Sequence, residues 1–473
     1  MTTQKQSVSK DQVQFDNTSY IDPNGQVFKY DNRIFRGINN SKKNFFLNLL
    51  KEPVFLELCK NNKIVNTTVS DLTLDEYELV LEHEKVSTLS YCIEWSPQML
   101  KDAALLTLEI TIELSKHALT LQDAYPWNIH FKGSSPIFID VGSIVPIEPG
   151  FLWKPYDQFC RFFLFPLFLH AKGKSKITNF LLTDYFEGVS TQTLNTLLGF
   201  KDKFLSPSIL AKATIPFFLD KLLSNKFKDM GNKYGSTGSA LITPKMRTSF
   251  LEMLKKDVQK INVTPKKAHW FNYYNTKFNP TDNKDQDLQN KTKVIEGILD
   301  KYKPATVLDQ GANTGHFSVL AANKGIKVIA CEQDISCVNL IYNTAKASNL
   351  DIVPLVSNFI NPAPSFGWCS KQFPSFLQRT RSEMVFALAL IHHLIFKQWQ
   401  SFERIAETLD MMSSKWAIVE FIPIDDEFIA PCWEDRFSFY TIENLQKAMS
   451  TYFTHVETVD SYPDGRKILV FAK

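Results

Sequence analysis

A short stretch beginning at Asp309 combines an acid, two glycines and an asparagine. It runs to Gly315, with Gly311 and Asn313 between them, and it follows the apolar run at Thr306. Glycine lets a backbone turn sharply and approach a ligand without a Cβ in the way, and asparagine is the non-glycine residue that best tolerates a left-handed conformation. A helical pattern follows at once. The stretch therefore predicts a strand, a glycine-containing turn and a helix, an arrangement that can bind a nucleotide-like ligand.

The spacing within this turn narrows the choice of ligand. A dinucleotide fingerprint has glycines at its first, third and sixth positions, whereas residues 309–315 follow the pattern Asp-x-Gly-x-Asn-x-Gly. Glu332 ends the next predicted strand, at about the distance where α/β nucleotide sites place an acid against ribose hydroxyls. Together these residues resemble motif I of the class I methyltransferases, which use S-adenosylmethionine (SAM) as methyl donor.

The resemblance implies a cofactor and a set of residues that bind it. SAM is the expected cofactor, no metal is required, and the expected contacts are Asp309, Gly311, Asn313, Gly315 and Glu332. In the family, the end of the third strand often contacts the adenine amino group, which points to Asn358. The alternative for Asn358, an ordinary loop cap, stays open.

Candidate catalytic residues lie at the ends of two later predicted strands. His392 and His393 follow the fourth strand, and Glu420 ends the fifth. Open α/β sheets present substrate at this edge, and a neutral histidine could accept a proton from a hydroxyl acceptor during methyl transfer. Many methyltransferases of this type carry a similar His-His-Leu sequence, so a structural role for the pair is the alternative.

The elements that must position these residues alternate between β-rich and helical patterns. This alternation predicts βαβ units and a mainly parallel sheet, and with motif I it indicates a Rossmann-like, seven-stranded class I methyltransferase domain. Gly325 is expected to end a helix in a left-handed conformation. The strands that the pattern predicts are Thr306–Asp309, Lys327–Cys331, Ile352–Val356, Met384–Leu390, Trp416–Phe421 and Lys467–Phe471.

The N-terminal half carries a second set of polar residues. Asp123 and Asn128 have the Asp-x4-Asn spacing of a kinase catalytic loop, and Asp140 begins an Asp-Val-Gly sequence that resembles the metal-binding Asp-Phe-Gly element. No glycine-rich loop or third-strand lysine accompanies them. The pattern favours an α+β kinase-like domain that is degenerate and recognises substrate, and the alternative is a β-hairpin in which these residues only satisfy backbone groups.

Taken along most of its length, the chain resembles the bacterial methyltransferases described as nodulation-protein-like. The residues that carry this likeness include Glu94–Ser96, Tyr156–Cys160, Asn361–Pro362, Gly367–Trp368 and Leu388–Leu394. The resemblance implies a SAM-dependent methyltransferase acting on a glycan, a lipid-linked molecule or a small-molecule hydroxyl, with the N-terminal half selecting the acceptor. A bifunctional kinase–methyltransferase and a non-catalytic SAM-binding scaffold are the alternatives.

Composition and length fit this organisation. The chain has 473 residues and a net charge of +3, which favours two domains and gives no reason to expect a nucleic-acid partner. Seven cysteines without metal spacing and no apolar membrane span indicate a cytoplasmic protein; the oligomeric state is left open. We expect a flexible N-terminus over 1–20, a kinase-like domain over 21–229, a glycine- and serine-containing linker over 230–243 and the methyltransferase domain over 244–473.

Overall fold

The structure is a computed structural model of the chain. It describes residues 6–20, 22–204, 206–215, 242–265, 284–426 and 429–473. The expected linker therefore lies almost entirely outside the described residues. None of the helices in these ranges is long and apolar enough to cross a membrane.

Among the described residues of the N-terminal half, five strands form an antiparallel sheet, and helices pack beside it. The sheet order is β2-β3-β4-β7-β5. The strands are β1 Gln6–Val8, β2 Gln14–Phe15, β3 Gly25–Tyr30, β4 Arg33–Ile38, β5 Thr67–Val69, β6 Leu72–Leu74, β7 Leu79–His83, β8 Leu119–Leu121, β9 Ile129–Lys132, β10 Ser135–Phe138 and β11 Ile144–Pro146. The helices are α1 Lys43–Leu49, α2 Pro53–Lys60, α3 Pro97–Ser115, α4 Tyr156–Phe159, α5 Phe165–Ala171, α6 Ser175–Leu181, α7 Thr191–Leu197, α8 Phe200–Phe204, α9 Pro207–Ile209 and α10 Pro244–Lys260.

Residues 6–20 contain short strands where a flexible N-terminus was expected over 1–20, and residues 1–5 lie outside the described residues. Strand β1 pairs in parallel with β6, and β2 pairs with β3. The cause is apolar burial, since Val8 is 2% exposed in a small cluster that also contains Phe28 and Phe35. Residues 6–20 are therefore part of the N-terminal sheet region.

Helix α10 packs with a different half of the chain from the one to which the sequence assigned it. Residues 244–260 were assigned to the methyltransferase domain, but α10 packs along α3 of the N-terminal half. Leu251, Leu254 and Val258 are buried at helical spacing on one face of α10. A domain boundary after α10, rather than before it, is what this packing favours.

The C-terminal half contains the expected α/β sheet. Among the described residues seven strands follow the order β14-β13-β12-β15-β16-β18-β17; β12 to β16 run parallel, and β18 is antiparallel to both of its neighbours. The strands are β12 Thr306–Gln310, β13 Lys327–Glu332, β14 Ile352–Val356, β15 Ser382–Ala387, β16 Ser413–Phe421, β17 Thr454–Asp460 and β18 Lys467–Ala472. The helices are α11 Lys284–Tyr302, α12 His316–Asn323, α13 Ile335–Ala347, α14 Phe376–Thr380, α15 Ile391–Phe396, α16 Phe402–Met412 and α17 Ile442–Met449.

Local sequence explains where the elements beside the motif turn begin and end. Asp334 caps α13, because its carboxylate accepts from the Ser336 backbone at 2.8 Å. Gly325 has a φ of 79°, as expected for the residue that ends α12. Most positions of the central strands are buried on both faces of the sheet, which is why these strands are mainly apolar.

Candidate cofactor site

One cavity opens at the carboxyl ends of β12, β13, β14 and β15, where an open α/β sheet binds its ligands. Most of the residues expected to bind cofactor line it. These are Asp309, Gly311, Asn313, Glu332 and Asn358, together with the catalytic candidate His393. Gly315, His392 and Glu420 are not among the residues that line the cavity.

The turn after β12 has the conformations expected of it. The φ angles of Gly311, Asn313 and Gly315 are 74°, 51° and 85°. The backbone N–H groups of Gly311 and Ala312 both donate to the Cys331 carbonyl at 2.9 Å. Gly315 precedes α12, and a Cβ on it would lie 2.9 Å from Ile341 Cγ1. A glycine at this position therefore lets the turn pack closely on α13.

Asp309 is buried at the start of the turn. Its side chain accepts a hydrogen bond from Ser318 Oγ at 2.6 Å, and the residue is only 3% exposed. Burial raises the pKa of Asp309 to about 6, although Ser318 acts in the opposite direction. The carboxylate therefore links β12 to α12 from the floor of the cavity.

Glu332 is held by the backbone around it. Its Oε2 accepts from the Asn313 N–H at 3.0 Å, and its Oε1 accepts from Gln333 and Asp334 at 2.8 and 3.1 Å. Burial raises the pKa of Glu332, and these backbone donors oppose that shift. Since Oε2 receives one of these three bonds, it keeps acceptor capacity toward the cavity.

Asn358 forms a loop cap and also lies at the cavity. Its Oδ1 accepts from the Ile360 backbone at 3.0 Å, and the residue is part of the cavity lining. Two other polar atoms of the lining, Gln310 Nε2 and Ser357 Oγ, are buried and have no hydrogen-bond partner among the described residues. Buried polar groups are nearly always paired. These atoms therefore fit a polar ligand such as SAM.

Glu420 is an anchor of the site rather than part of its lining. It is fully buried, and its carboxylate accepts from Lys291 Nζ at 2.6 Å, from the Ala389 N–H at 2.7 Å and from Ser461 Oγ at 2.9 Å. Burial opposes ionisation of Glu420, but the nearby cations Lys291 and Arg466 outweigh it and lower the pKa. A carboxylate so occupied is poorly placed to accept a proton from a substrate.

Lys291 is a site residue that was not predicted from the sequence. This residue of α11 lines the cavity, lies over the Phe317 ring at 5.3 Å and is paired with Glu420. Burial lowers the pKa of Lys291, while the charge of Glu420 acts the other way. The signal that could have identified it is a lone lysine on the apolar face of a helix just before motif I.

The two histidines occupy different environments. His393 lines the cavity, whereas His392 is buried at 7% exposure, with the ring centroids 4.0 Å apart. Burial lowers the pKa of His392 well below its usual value, so this ring is neutral at pH 7. Of the two, His393 has the position of a residue that could meet an acceptor.

The loop before β18 also contributes residues to the cavity lining. Tyr462 and Arg466 line it, and the Arg466 guanidinium pairs with Asp426 at 2.9 Å. Gln398, another lining residue, has a buried Oε1 without a hydrogen-bond partner among the described residues. Nothing in their local sequence marks these residues, because they reach the site from β17–β18 and from the loop after α15.

The three polar residues predicted in the N-terminal half are Asp123, Asn128 and Asp140. They lie close together, and each is already bonded to a protein group. Asp123 Oδ1 accepts from Asn128 Nδ2 at 3.0 Å and from Ser143 Oγ at 2.9 Å. Asp140 is paired with Arg36 of β4, which also pairs with Asp22. Burial and the charge of Asp140 raise the pKa of Asp123 to about 7. The Arg36 guanidinium therefore already neutralises Asp140, the acid that would have to bind a metal in a kinase-like site.

Comparison with known proteins finds a relative by sequence and a set of similar solved structures. No protein-family model matches. The chain is 29% identical over 449 residues to the nodulation protein NoeA of Rhizobium meliloti strain 1021, covering 91% of this chain and 90% of the relative.

Solved structures similar to the chain include methyltransferases. Magnesium protoporphyrin IX methyltransferase from Synechocystis PCC 6803, crystallised with SAM, is 12% identical and covers 40% of this chain and 82% of that one, with a TM-score of 0.28. A putative O-methyltransferase from Nostoc punctiforme PCC 73102 is 15% identical and covers 55% and 72%, with a TM-score of 0.32. The bifunctional kinase-methyltransferase WbdD is 12% identical and covers 39% of each chain, with a TM-score of 0.28.

Proposed function

We propose that the chain is a SAM-dependent methyltransferase whose cofactor binds in the cavity at the carboxyl ends of β12 to β15. The observation that carries the proposal is the arrangement around Glu332. Its carboxylate closes the motif turn by accepting from the Asn313 backbone, and it lines the same cavity as Asp309 and Gly311. A backbone-held acid at the end of the second strand is where α/β sites bind ribose.

Each polar residue around the cavity would bind a different part of the cofactor. Glu332 would accept from ribose hydroxyls, Asn358 and Ser357 would contact the base, and Gln310 would donate to a polar group of the ligand. Gly311 lets the backbone approach, since a Cβ there would already lie 3.3 Å from Leu390 Cδ1. The bound cofactor supplies an activated methyl group, and positioning of donor and acceptor supplies much of the rate.

His393 is our candidate for accepting the proton of a hydroxyl acceptor. It lines the cavity, whereas His392 is buried beside it. Loss of the imidazole in His393→Ala should lower kcat by roughly a hundredfold or more if it acts as general base, with SAM affinity unchanged. The acceptor itself we propose to be a glycan, a lipid-linked molecule or a small molecule with a hydroxyl group.

Calorimetry with S-adenosylhomocysteine tests the binding half of the proposal, and labelled SAM with fractionated cell extract tests the transfer half. We expect saturable binding at one site per chain and transfer of label to a glycan, lipid or small-molecule fraction. Failure to bind S-adenosylhomocysteine would exclude the proposal. Binding without release of S-adenosylhomocysteine from SAM in any extract would instead favour a non-catalytic scaffold.

The bifunctional kinase–methyltransferase is disfavoured by the pairing of Asp140 with Arg36. Among the described residues no group of three or more metal-binding side chains comes together. We therefore expect no magnesium-dependent ATP turnover. Hydrolysis that is abolished by Asp140→Ala would overturn this expectation.

A further inference from the structure

The N-terminal half contacts the C-terminal half at α13, the helix that packs against β13 and β14. Asp102 of α3 accepts from the Tyr342 hydroxyl and from Lys346 Nζ, both at 2.6 Å and both on α13. The Gln98 backbone donates to Asn339 of the same helix at 3.1 Å. Helix α13 begins just after Glu332 and Gln333, so these contacts hold the helix that follows the expected ribose-binding acid.

The N-terminal half makes a second set of contacts with the segment that follows residues 357–359, which are expected to lie beside the adenine. Ser357, Asn358 and Phe359 line the cavity, and the chain then runs through residues 361–375 to α14. Within this segment Phe366 and Phe373 pair through two backbone hydrogen bonds of 3.2 and 3.0 Å, and their rings stack at 4.7 Å. We call residues 361–375 the excursion.

Trp127 of the N-terminal half packs on both of these rings. Its ring centroid lies 4.9 Å from that of Phe366 and 4.9 Å from that of Phe373. Trp127 is 5% exposed, and its Nε1 has no hydrogen-bond partner among the described residues. Ring packing rather than a polar contact therefore holds the indole against the excursion.

The loop that carries Trp127 is the one with kinase-like spacing. Asn128 donates to Asp123 at 3.0 Å, Ser143 donates to the same carboxylate at 2.9 Å, and the Ile139 backbone donates to the Asn128 carbonyl at 2.9 Å. These bonds fix both ends of residues 123–128. The constellation that the sequence suggested for phosphate chemistry thus builds a rigid support for one tryptophan.

We propose that the Asp123–Asn128 loop positions the adenine side of the cofactor cavity, with Trp127 acting through Phe366 and Phe373 on residues 357–359. The inference rests on the proposed function, because it assumes that this cavity binds SAM. Trp127 is a positioning residue and does not itself touch the ligand. The proposal gives the N-terminal half a role in cofactor affinity in place of acceptor selection.

The test compares variants of the full chain in their affinity for S-adenosylhomocysteine, measured by calorimetry well below the melting temperature. Trp127→Ala should weaken binding roughly fivefold or more, the lower end of typical coupling between sites. Trp127→Phe keeps an aromatic ring and should restore most of the affinity. Phe366→Leu is a milder change on the other side of the contact, and it should weaken binding without adding to the effect of Trp127→Ala.

Phe28→Ala is the matched control. Phe28 is a fully buried aromatic residue of the same half, in the separate cluster around Phe35. Its loss should lower the melting temperature but leave affinity for S-adenosylhomocysteine unchanged, which separates positioning from general destabilisation. If Trp127→Ala fails to fold, Phe366→Leu alone decides the question. Wild-type affinity in Trp127→Ala and Phe366→Leu would overturn the inference, whereas absence of binding by the wild-type chain would overturn the proposed function.

Discussion

Glu332 is the residue on which cofactor binding should depend most. Each charge-assisted hydrogen bond to a ribose hydroxyl contributes about 1.5–3 kcal/mol, so Glu332→Ala should weaken binding of S-adenosylhomocysteine by roughly tenfold to more than a hundredfold. Glu332→Gln should fall between, since its amide keeps one acceptor but turns an NH2 group toward backbone donors. Calorimetry on the three proteins makes the comparison.

Substitution of Glu332 also removes a hydrogen bond that holds the Asn313 backbone, and this loss could weaken binding by itself. The control for the Glu332 variants is therefore another carboxylate that accepts a backbone hydrogen bond away from the cavity. Glu383 does so from Ala305 at 2.8 Å, and Glu383→Ala should leave affinity unchanged. If Glu332→Ala binds as tightly as wild type, the ligand is not held by its ribose.

Asp309 should make stability depend on pH. Its folded-state pKa of about 6 lies above the ordinary value of 3.8, mainly because the group is buried and also because of the nearby charge of Glu332. Folding therefore favours the protonated carboxyl, and this contribution is complete below about pH 4 and is lost as the pH rises through about 6. At about pH 8 the buried carboxylate costs up to about 3 kcal/mol.

Asp309→Asn should consequently raise the free energy of unfolding of the ligand-free protein at about pH 8 and raise it less at about pH 5. The amide oxygen can still accept from Ser318 Oγ. Urea denaturation at the two pH values measures the effect, and Asp75→Asn, an exposed acid of the N-terminal half, serves as control. An unfolding free energy that falls equally at both pH values would show that the charge of Asp309 is not what burial opposes.

The sequence predicted residues of the site where they belong to one continuous motif. Asp309, Gly311 and Asn313 lie in a single turn, and Glu332 ends the adjacent strand, so local pattern and strand order suffice to bring them together. Lys291 and Arg466 were missed. The pattern around motif I does not show that Lys291 pairs with Glu420, and Arg466 reaches the cavity from the loop before β18, where it pairs with Asp426. Glu420 was placed at the correct strand end, but its burial beneath the cavity depends on those same distant partners.

Strands were predictable in proportion to their burial. Strands β12, β13 and β14 are mostly buried and mainly apolar, and they were predicted within one residue of their observed bounds. Strand β17 was missed, because it is an edge strand whose residues are mostly exposed and whose sequence, THVETVD, has little apolar character. The predicted fourth strand was too long, since β15 ends at Ala387 and residues 388–390 turn into the cavity.

Gly315 and Gly325 separate two reasons for glycine at the ends of α12. Both have a left-handed φ, 85° and 79°, but a Cβ on Gly315 would lie 2.9 Å from Ile341 whereas a Cβ on Gly325 would meet nothing within 4 Å. Gly325→Ala should therefore cost about 1–2 kcal/mol of stability from its conformation alone. Gly315→Ala should cost about 1–3 kcal/mol more from overpacking.

The same pair of variants should differ in cofactor binding. Gly315→Ala displaces the motif turn away from α13 and should weaken affinity for S-adenosylhomocysteine, while Gly325→Ala should not. Chemical denaturation and calorimetry measure the two quantities, and trimming the opposing side chain with Ile341→Val should recover part of both losses in the Gly315→Ala background. Equal behaviour of the two glycine variants would contradict the packing account of the turn.

At the scale of the whole molecule, the two halves share a buried interface that no local pattern announces. Arg379 of α14 pairs with Glu94, their side chains are 1% and 2% exposed, and the guanidinium lies 4.1 Å from the centre of the Tyr91 ring. The two charges are 285 residues apart in sequence. The sequence predicted two domains from chain length and motif positions, but it could not show which residues of the two halves would meet.

The last prediction concerns how strongly this buried pair joins the halves. Removing one partner of a buried ion pair typically costs about 3–5 kcal/mol, because the other charge is left without compensation. Glu94→Gln and Arg379→Gln should each destabilise the full chain by about that amount. The double variant places two neutral amides together and should cost less than the sum of the single variants by about 0.5–3 kcal/mol.

Urea denaturation followed by fluorescence and by circular dichroism gives the four free energies, and the two signals should change together if the halves unfold as one unit. The exposed pair Lys116 and Glu113, with side chains 50% and 43% exposed, is the matched control and should contribute less than about 1 kcal/mol. Additive losses for Glu94 and Arg379 would mean that the two charges do not stabilise each other, and separate transitions in the two signals would mean that the halves unfold independently.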